Sequence, residues 1–150
     1  MQQISQQLFK IVHTAFPKLQ SITEEQASHK PLPEKWSPKE ILGHMIDSAS
    51  NNHQRIVRMQ EVEHIGTFRY SQDHWVHVQQ YQQESWQHIL SLWYAYNLHL
   101  AHIMAHISAE ALSHTCDVGK PEPVPLEFIV ADYVRHIEHH LEQLFNRIAE

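Results

Sequence analysis

The stretch Trp36-Ser37-Pro38-Lys39-Glu40-Ile41 decides the fold, because it marks where a long helix begins. Ser37 and Glu40 have the spacing of a capping box, in which each side chain accepts a hydrogen bond from the backbone N–H of the other residue. Pro38 takes the first helical position, where its missing N–H costs nothing. The pattern predicts a helix that starts after Ser37 and continues to about Gln60, with its apolar residues on one face.

Three further segments have the apolar three–four spacing of amphipathic helices. They cover about residues 3–22, 86–107 and 126–148, and a short helical segment around Trp75 precedes the second of them. Pro17 is expected to kink the first segment or to end it early. Four long helices of this kind predict an all-α protein with a four-helix bundle.

Proline-rich stretches connect the predicted helices. Residues 28–35 contain two prolines and residues 113–125 contain three, so both stretches are expected to be loops. Gly66 is expected in the break after the helix that begins at Ser37. No repeat or linker divides the chain, and residues 1–150 are expected to form a single domain around one core.

Composition excludes several classes of function. The chain has 11 Lys and Arg against 17 Asp and Glu, a formal net charge of −6, so it offers no broad positive surface to nucleic acid. Its three glycines disfavour phosphate-binding loops. Cys116 is the single cysteine, so no intramolecular disulfide forms. No segment resembles a signal peptide or a membrane span, and a cytoplasmic protein without a membrane partner is expected.

Histidine is unusually frequent, with 15 residues in the chain. Two His-x-x-x-His pairs occur, His102/His106 and His136/His140. Roughly 1.5 such pairs are expected by chance at this composition, which makes the bare pattern weak. Each pair lies on one face of a helix, because residues four apart differ by only about 40° around the axis. Spacing alone therefore does not decide between the two pairs.

The position around the helix does distinguish the pairs. His136 and His140 flank the apolar stripe of the last helix, whereas no third ligand or carboxylate accompanies the other pair, which we expect to be solvated surface. A polar stripe flanks the apolar face of the helix after Ser37; its members are His44, Ser48, Asn51 and Arg55. Imidazoles from two such stripes would form a zinc-type site with an open coordination position. The alternative, that His136 and His140 only bond to neighbours at the border of the core, stays open.

Neighbouring polar residues have two interpretations each. Asp47 lies one turn from His44 and would orient its ring, or it is an ordinary carboxylate on the helix surface. Asn51 and Arg55 would hold an anionic substrate group, or Arg55 pairs with a nearby Glu. Trp75, in an irregular segment, is either core or the roof of a pocket.

Two blocks of the sequence together resemble the signature of the DinB/YfiT-like superfamily. The blocks are KWSPKEILGHMIDS at 35–48 and DYVRHIEHHLEQ at 132–143, with shorter agreements in order at 51–55, 73–75 and 92–97. The resemblance spans nearly the whole chain. It implies a four-helix bundle that holds one divalent metal ion, zinc or nickel, through His44, His136 and His140.

The resemblance also implies a class of function. Such proteins are often described as metal-dependent hydrolases, and some relatives transfer a low-molecular-weight thiol, such as bacillithiol or mycothiol, to an electrophile. No general base follows the ligands as in a His-Glu-x-x-His helix, which favours thiol transfer over hydrolysis. Asn51 and Arg55 would then position the small-molecule substrate, with Asp47 and Gln143 supporting the ligands. The alternative is a non-catalytic metal or small-ligand binding bundle, or a structural homodimer.

Overall fold

A computed structural model describes residues 1–149 of the chain. Its helices are α1 (Gln2–Gln20), α2 (Glu24–Ser28), α3 (Pro38–Arg58), α4 (Gln72–Gln79), α5 (Trp86–Ala105) and α6 (Leu126–Ala149). Its strands are β1 (His64–Thr67), β2 (Thr115–Asp117) and β3 (Val124–Pro125). Short 3-10 turns cover Tyr81–Gln83 and Glu110–Ser113.

The four long helices α1, α3, α5 and α6 form the bundle, which confirms the predicted fold. Helix α1 packs against α5 and α6, and α3 packs against the same two helices, so α1 and α3 occupy opposite corners. The core between them holds large buried side chains, among them Trp86, Trp93 and Tyr133. Within residues 1–149, no helix combines the length and the apolar character that crossing a membrane requires.

Helix α3 begins as its sequence predicts. The Ser37 N–H donates to the Glu40 carboxylate at 2.8 Å, and the Glu40 N–H donates to Ser37 Oγ at 3.3 Å. Lys30 binds the same carboxylate at 2.8 Å, which ties the cap to the preceding loop. Because the cap fixes where the helix starts, it also fixes which face His44 occupies two turns later.

The structure differs from the sequence-based expectations at three places. Pro17 does not end α1, which continues to Gln20. Helix α2 was not predicted, although Thr23 and Gln26 form its capping box. The loop expected at 113–125 contains β2 and β3, which pair antiparallel, while β1 pairs with β2 in parallel. Strands of two to four residues are too short to show an alternating pattern in the sequence.

Gly43 allows the Tyr81–Gln83 turn to approach α3 beside His44. A Cβ atom on Gly43 would lie 2.2 Å from Cδ2 of the Tyr81 ring. The ring is buried, and its hydroxyl donates to Asp47 Oδ1 at 2.6 Å. Glycine costs a helix interior about 0.5–1 kcal/mol relative to alanine, so lack of space, rather than helix propensity, explains the glycine here.

We expect Gly43→Ala to lower the free energy of unfolding by about 1–3 kcal/mol, because the added methyl group overpacks the contact with Tyr81. Gly66→Ala is the matched control, since its Cβ would meet no heavy atom within 4 Å. The control should stay within about 0.5 kcal/mol of the wild type. Urea unfolding followed by circular dichroism measures both, and equal stability of the two variants would contradict the close approach.

Candidate metal centre

Three histidines meet where α3 packs against α6. His44 lies two turns into α3, and His136 and His140 lie one turn apart on α6. One nitrogen of each ring lies within 4.8 Å of the corresponding nitrogens of the other two rings. The Nε2 atoms of His44 and His136 are 3.2 Å apart. The structure therefore brings together the three histidines that the sequence analysis gave as candidate metal ligands.

Neighbouring side chains orient the two rings on α6. The Nδ1 atom of His140 lies 2.8 Å from Gln143 Oε1. An amide oxygen only accepts hydrogen bonds, so this Nδ1 carries the proton and Nε2 keeps a lone pair for a metal. Ser48 Oγ lies 3.4 Å from His136 Nδ1, which leaves Nε2 of that ring facing His44. Gln143 thus contacts the His140 ring, and its role in supporting a metal ligand stays a prediction.

Burial keeps the cluster uncharged. Desolvation, together with the nearby His140, lowers the pKa of His44 to about 4. Desolvation and the three surrounding histidines lower the pKa of His136 to about 3, and burial also lowers the pKa of His140. Neutral imidazole is the form that binds metal ions. At neutral pH all three rings are ready to act as ligands.

One ring nitrogen of the cluster has no hydrogen-bond partner among the described residues. His44 is 1% exposed, and its Nδ1 atom has no hydrogen-bond partner among residues 1–149. A buried unsatisfied group of this kind costs about 1–3 kcal/mol. Three ring nitrogens within 4.8 Å of one another fit a divalent ion, which would accept a lone pair from each neutral imidazole. The residues present therefore fit a zinc- or nickel-type ion.

A cavity of about 180 Å³ opens beside the cluster. The residues that line it are Ser48, Asn52, Arg55, Tyr70, Asp132, Tyr133 and His136. Because His136 forms part of the wall, a small molecule in this cavity would lie next to the candidate ligands. We call it the Arg55 cavity.

Arg55 brings a positive charge to this cavity. Its Nε and Nη2 atoms donate to the backbone carbonyl of Phe68 at 3.2 and 2.5 Å, and Nη1 donates to Asn52 Oδ1 at 3.3 Å. None of the ion pairs within residues 1–149 involves Arg55, so the pairing with a Glu that the sequence left open does not occur. The guanidinium is thus held in place by neutral acceptors.

Asn51 lies in a different cavity, of about 340 Å³. Its Nδ2 atom donates to the backbone carbonyl of Asp47 at 2.9 Å. Trp75 and Tyr70 line the same cavity, and their ring centroids are 5.1 Å apart. Asn51 and Arg55, which we expected to act together, therefore line two neighbouring cavities separated by Tyr70.

Asp47 does not bond to His44. Its carboxylate accepts hydrogen bonds from the hydroxyl of Tyr81 and the side-chain amide of Gln79, and its Oδ2 atom has no partner among residues 1–149. Burial raises the pKa of Asp47, against the effect of those two hydrogen bonds. Asp47 thus fastens α4 and the following turn to α3, and in this structure it supports His44 only through the packing of α3.

Two residues of the Arg55 cavity were missed by the sequence reasoning. Tyr70 lies between β1 and α4, and burial, together with the nearby Asp47, raises its pKa to about 12. An irregular segment has no periodicity that would reveal it. Asp132 could have been placed at the site from the sequence, because it precedes His136 by four residues and so shares a helical face with His136 and His140.

The second histidine pair lies at the end of α5. His102 and His106 are exposed, with ring centroids 4.5 Å apart. Over residues 1–149, the cluster of His44, His136 and His140 is the one group of three or more potential ligands that is close enough to hold an ion. The surface pair has no third ligand, as expected.

Gln143→Ala is expected to weaken metal binding by about 10- to 100-fold, because the His140 ring loses the acceptor that fixes its orientation. Glu142→Ala is the control, since Glu142 is exposed on the same turn of α6 and bonds to none of the three histidines. Competition with a chelating dye measures the dissociation constant of each variant. Equal affinities would show that Gln143 plays no part in the site.

The bundle and the histidine cluster together define a class: four-helix bundles with a candidate three-histidine metal centre between two helices. Sequence comparison is consistent with that class, since the model of the DinB superfamily matches residues 9–144. The chain belongs to the DinB superfamily. Comparison with curated proteins gives no match.

Two solved structures have a similar fold. One is YfiT from Bacillus subtilis, described as a probable metal-dependent hydrolase with an unusual four-helix bundle topology. It is 16% identical, with a TM-score of 0.84 over 97% of this chain and 83% of its own. The other is a mycothiol-dependent maleylpyruvate isomerase, 13% identical, with a TM-score of 0.78. That match covers 95% of this chain and 59% of the isomerase.

Proposed function

We propose that the chain is a divalent-metal-dependent enzyme that transfers a low-molecular-weight thiol to a small electrophile. The observation that carries this proposal is the neutral cluster of His44, His136 and His140 beside a cavity that holds Arg55. The similar structures support it, because one is described as metal-dependent and the other as dependent on a thiol.

A zinc or nickel ion held by the three histidines would lower the pKa of a bound thiol or water enough for its anion to form near neutral pH. Gln143 and Ser48 hold the rings of His140 and His136 in the orientation that this requires. In the reaction, the thiol proton passes to solvent and the sulfur lone pair forms the new bond to carbon. The electron pair of the broken bond leaves with the displaced group.

Arg55 is proposed to bind the electrophile. Its guanidinium lines the same cavity as His136 and forms no ion pair within residues 1–149, so it would orient an anionic group of the substrate. Asn51 would contact a substrate long enough to pass Tyr70 into the neighbouring cavity. Tyr133, which is 2% exposed, forms the buried inner wall of the Arg55 cavity.

Thiol transfer fits the cavity better than hydrolysis does. Hydrolysis needs a group that takes a proton from water, and Asp132 is the one carboxylate in the described lining. Its Oδ1 accepts a hydrogen bond from Arg135 at 2.8 Å, and its side chain is 55% exposed. A thiol with a pKa of about 8.5 needs far less help to ionise than water with a pKa of about 15.7.

The test measures whether the rate of thiol transfer depends on the bound metal ion. Untagged protein loaded with Zn²⁺ or Ni²⁺ is assayed with several thiols, including glutathione and L-cysteine, against 1-chloro-2,4-dinitrobenzene. We expect turnover with at least one thiol that is lost on chelation and in His136→Ala, but kept in His102→Ala. Equal hydrolysis of 4-nitrophenyl acetate with and without thiol, and no thiol transfer, would contradict the proposal.

A further inference from the structure

Another cavity lies at the other end of the α3–α6 seam, beside two side chains that contact the histidine cluster. Its volume is about 360 Å³, and its lining is Glu34, Lys35, Trp36, Gln72, Asp73, Gln143 and Arg147. The Trp36 ring centroid lies 5.1 Å from that of His44, and Gln143 bonds to His140. We call it the Lys35 cavity.

The order of residues along the two helices shows that the cavities lie on opposite sides of the cluster. The Arg55 cavity uses residues that follow His44 on α3 and residues that precede His140 on α6. The Lys35 cavity uses residues that precede His44 and residues that follow His140. The segment that leads into α4 lies between them, because Tyr70 lines the first cavity and Asp73 lines the second. His136 itself lines the Arg55 cavity, whereas the Lys35 cavity meets the histidines through Trp36 and Gln143.

The Lys35 cavity carries charges of both signs. Lys35, Glu34 and Asp73 are exposed, and none of the ion pairs within residues 1–149 involves them. Arg147 is 9% exposed and donates to the Trp36 carbonyl at 2.8 Å, so it shapes the wall. Two cations, Lys35 and Arg147, and two carboxylates around one cavity are complementary to a ligand that has both an ammonium and a carboxylate group.

We infer that the Lys35 cavity is the subsite for the thiol cosubstrate, and that this thiol is zwitterionic, with its ammonium and carboxylate groups near the sulfur. The inference rests on the proposed thiol transfer. Lys35 would bind the carboxylate, while Glu34 and Asp73 would bind the ammonium group. The sulfur would then reach the histidines past Trp36 and Gln143, and the electrophile would approach from the Arg55 cavity. Two entrances to one centre suit a reaction of two substrates.

The test compares two related thiols, L-cysteine, which has a free carboxylate, and L-cysteine methyl ester, in which that group is an uncharged ester. Each is titrated into Co²⁺-loaded protein, and the near-ultraviolet absorption of the coordinated sulfur gives its dissociation constant. We expect Lys35→Glu to raise the dissociation constant of L-cysteine by about 3- to 10-fold, as for a screened ion pair that becomes a repulsion. The methyl ester should change by less than about twofold.

Lys10→Glu is the control, because it makes the same charge change on the exposed surface of α1. It should leave both dissociation constants unchanged. If Lys35→Glu behaves like Lys10→Glu, or if Arg55→Gln weakens L-cysteine and Lys35→Glu does not, the assignment of the subsite is wrong. If neither thiol gives the absorption with wild-type protein, the proposed thiol transfer itself fails.

Discussion

His136→Ala is expected to weaken the binding of Zn²⁺ or Ni²⁺ by about 100- to 1,000-fold. Four-ligand zinc sites bind with roughly 10–16 kcal/mol, so each ligand contributes about 2.5–4 kcal/mol. His136 is the ring whose Nε2 lies 3.2 Å from that of His44 and whose edge forms part of the Arg55 cavity. Its loss removes a ligand from the centre of the cluster. Isothermal titration in competition with a chelator of known affinity measures the change.

The matched control is His102→Ala combined with His106→Ala. This variant also removes a His-x-x-x-His pair, but one that is exposed and has no third ligand in the described chain. Its affinity for the ion should equal that of the wild type. Loss of tight binding in this variant, with binding retained in His136→Ala, would place the metal on α5 instead.

The metal-free protein is expected to lose stability steeply as the pH falls from about 6.5 toward 4. The pKa of His44 is lowered to about 4 and that of His136 to about 3, from an ordinary value of 6.5. In this window the unfolded chain binds protons at both residues and the folded chain does not. The free energy of unfolding therefore rises with pH and falls on acidification. Each unit by which the pKa differs between the folded and the unfolded chain changes the free energy of unfolding by about 1.4 kcal/mol. The expected loss of stability is therefore on the order of a few kcal/mol.

Asp47 acts in the opposite direction, because its raised pKa makes the folded chain hold a proton more tightly than the unfolded chain does. This effect stabilises the fold at low pH and fades as the pH rises through the folded pKa. The pKa values of His44 and His136 are shifted by a large amount, so their effect on the free energy of unfolding outweighs that of Asp47 over most of this pH range.

Urea unfolding at several pH values between about 7.5 and 4.5 follows this dependence. His44→Leu removes one of the two rings whose pKa is lowered most and should flatten the curve by about half. His102→Leu, at an exposed position on α5, should leave the curve unchanged. A wild-type curve without slope in this window would mean that the cluster is open to water and charged.

The sequence predicted the parts of the molecule that helical periodicity encodes. The start of α3 follows from a local cap at Ser37, and the shared face of His136 and His140 follows from their spacing. Cap and spacing place each histidine on its helix, but they left open whether the three rings meet. The resemblance to the DinB/YfiT-like superfamily implied that they do, and the structure brings them within 4.8 Å of one another.

The parts that depend on loops could not be predicted. Strands β1, β2 and β3 have two to four residues each, and they pair across distant parts of the chain. Tyr70 enters the seam from an irregular segment, and its position decides that Asn51 and Arg55 line different cavities. The partners of Asp47, Tyr81 and Gln79, come from α4 and the turn after it, and no local rule connects them to α3.

The most direct test of the metal centre is the number of divalent ions bound per chain. Protein made without a histidine tag is loaded with Zn²⁺ or Ni²⁺, freed of excess ion by gel filtration, and analysed by mass spectrometry of its metal content. Three neutral imidazoles that leave one coordination position open should bind about one ion tightly per chain. We expect this ion to be lost in a His44→Ala/His136→Ala double variant. Wild-type protein that retains no ion, or a double variant that still retains one, would contradict a metal site at His44, His136 and His140.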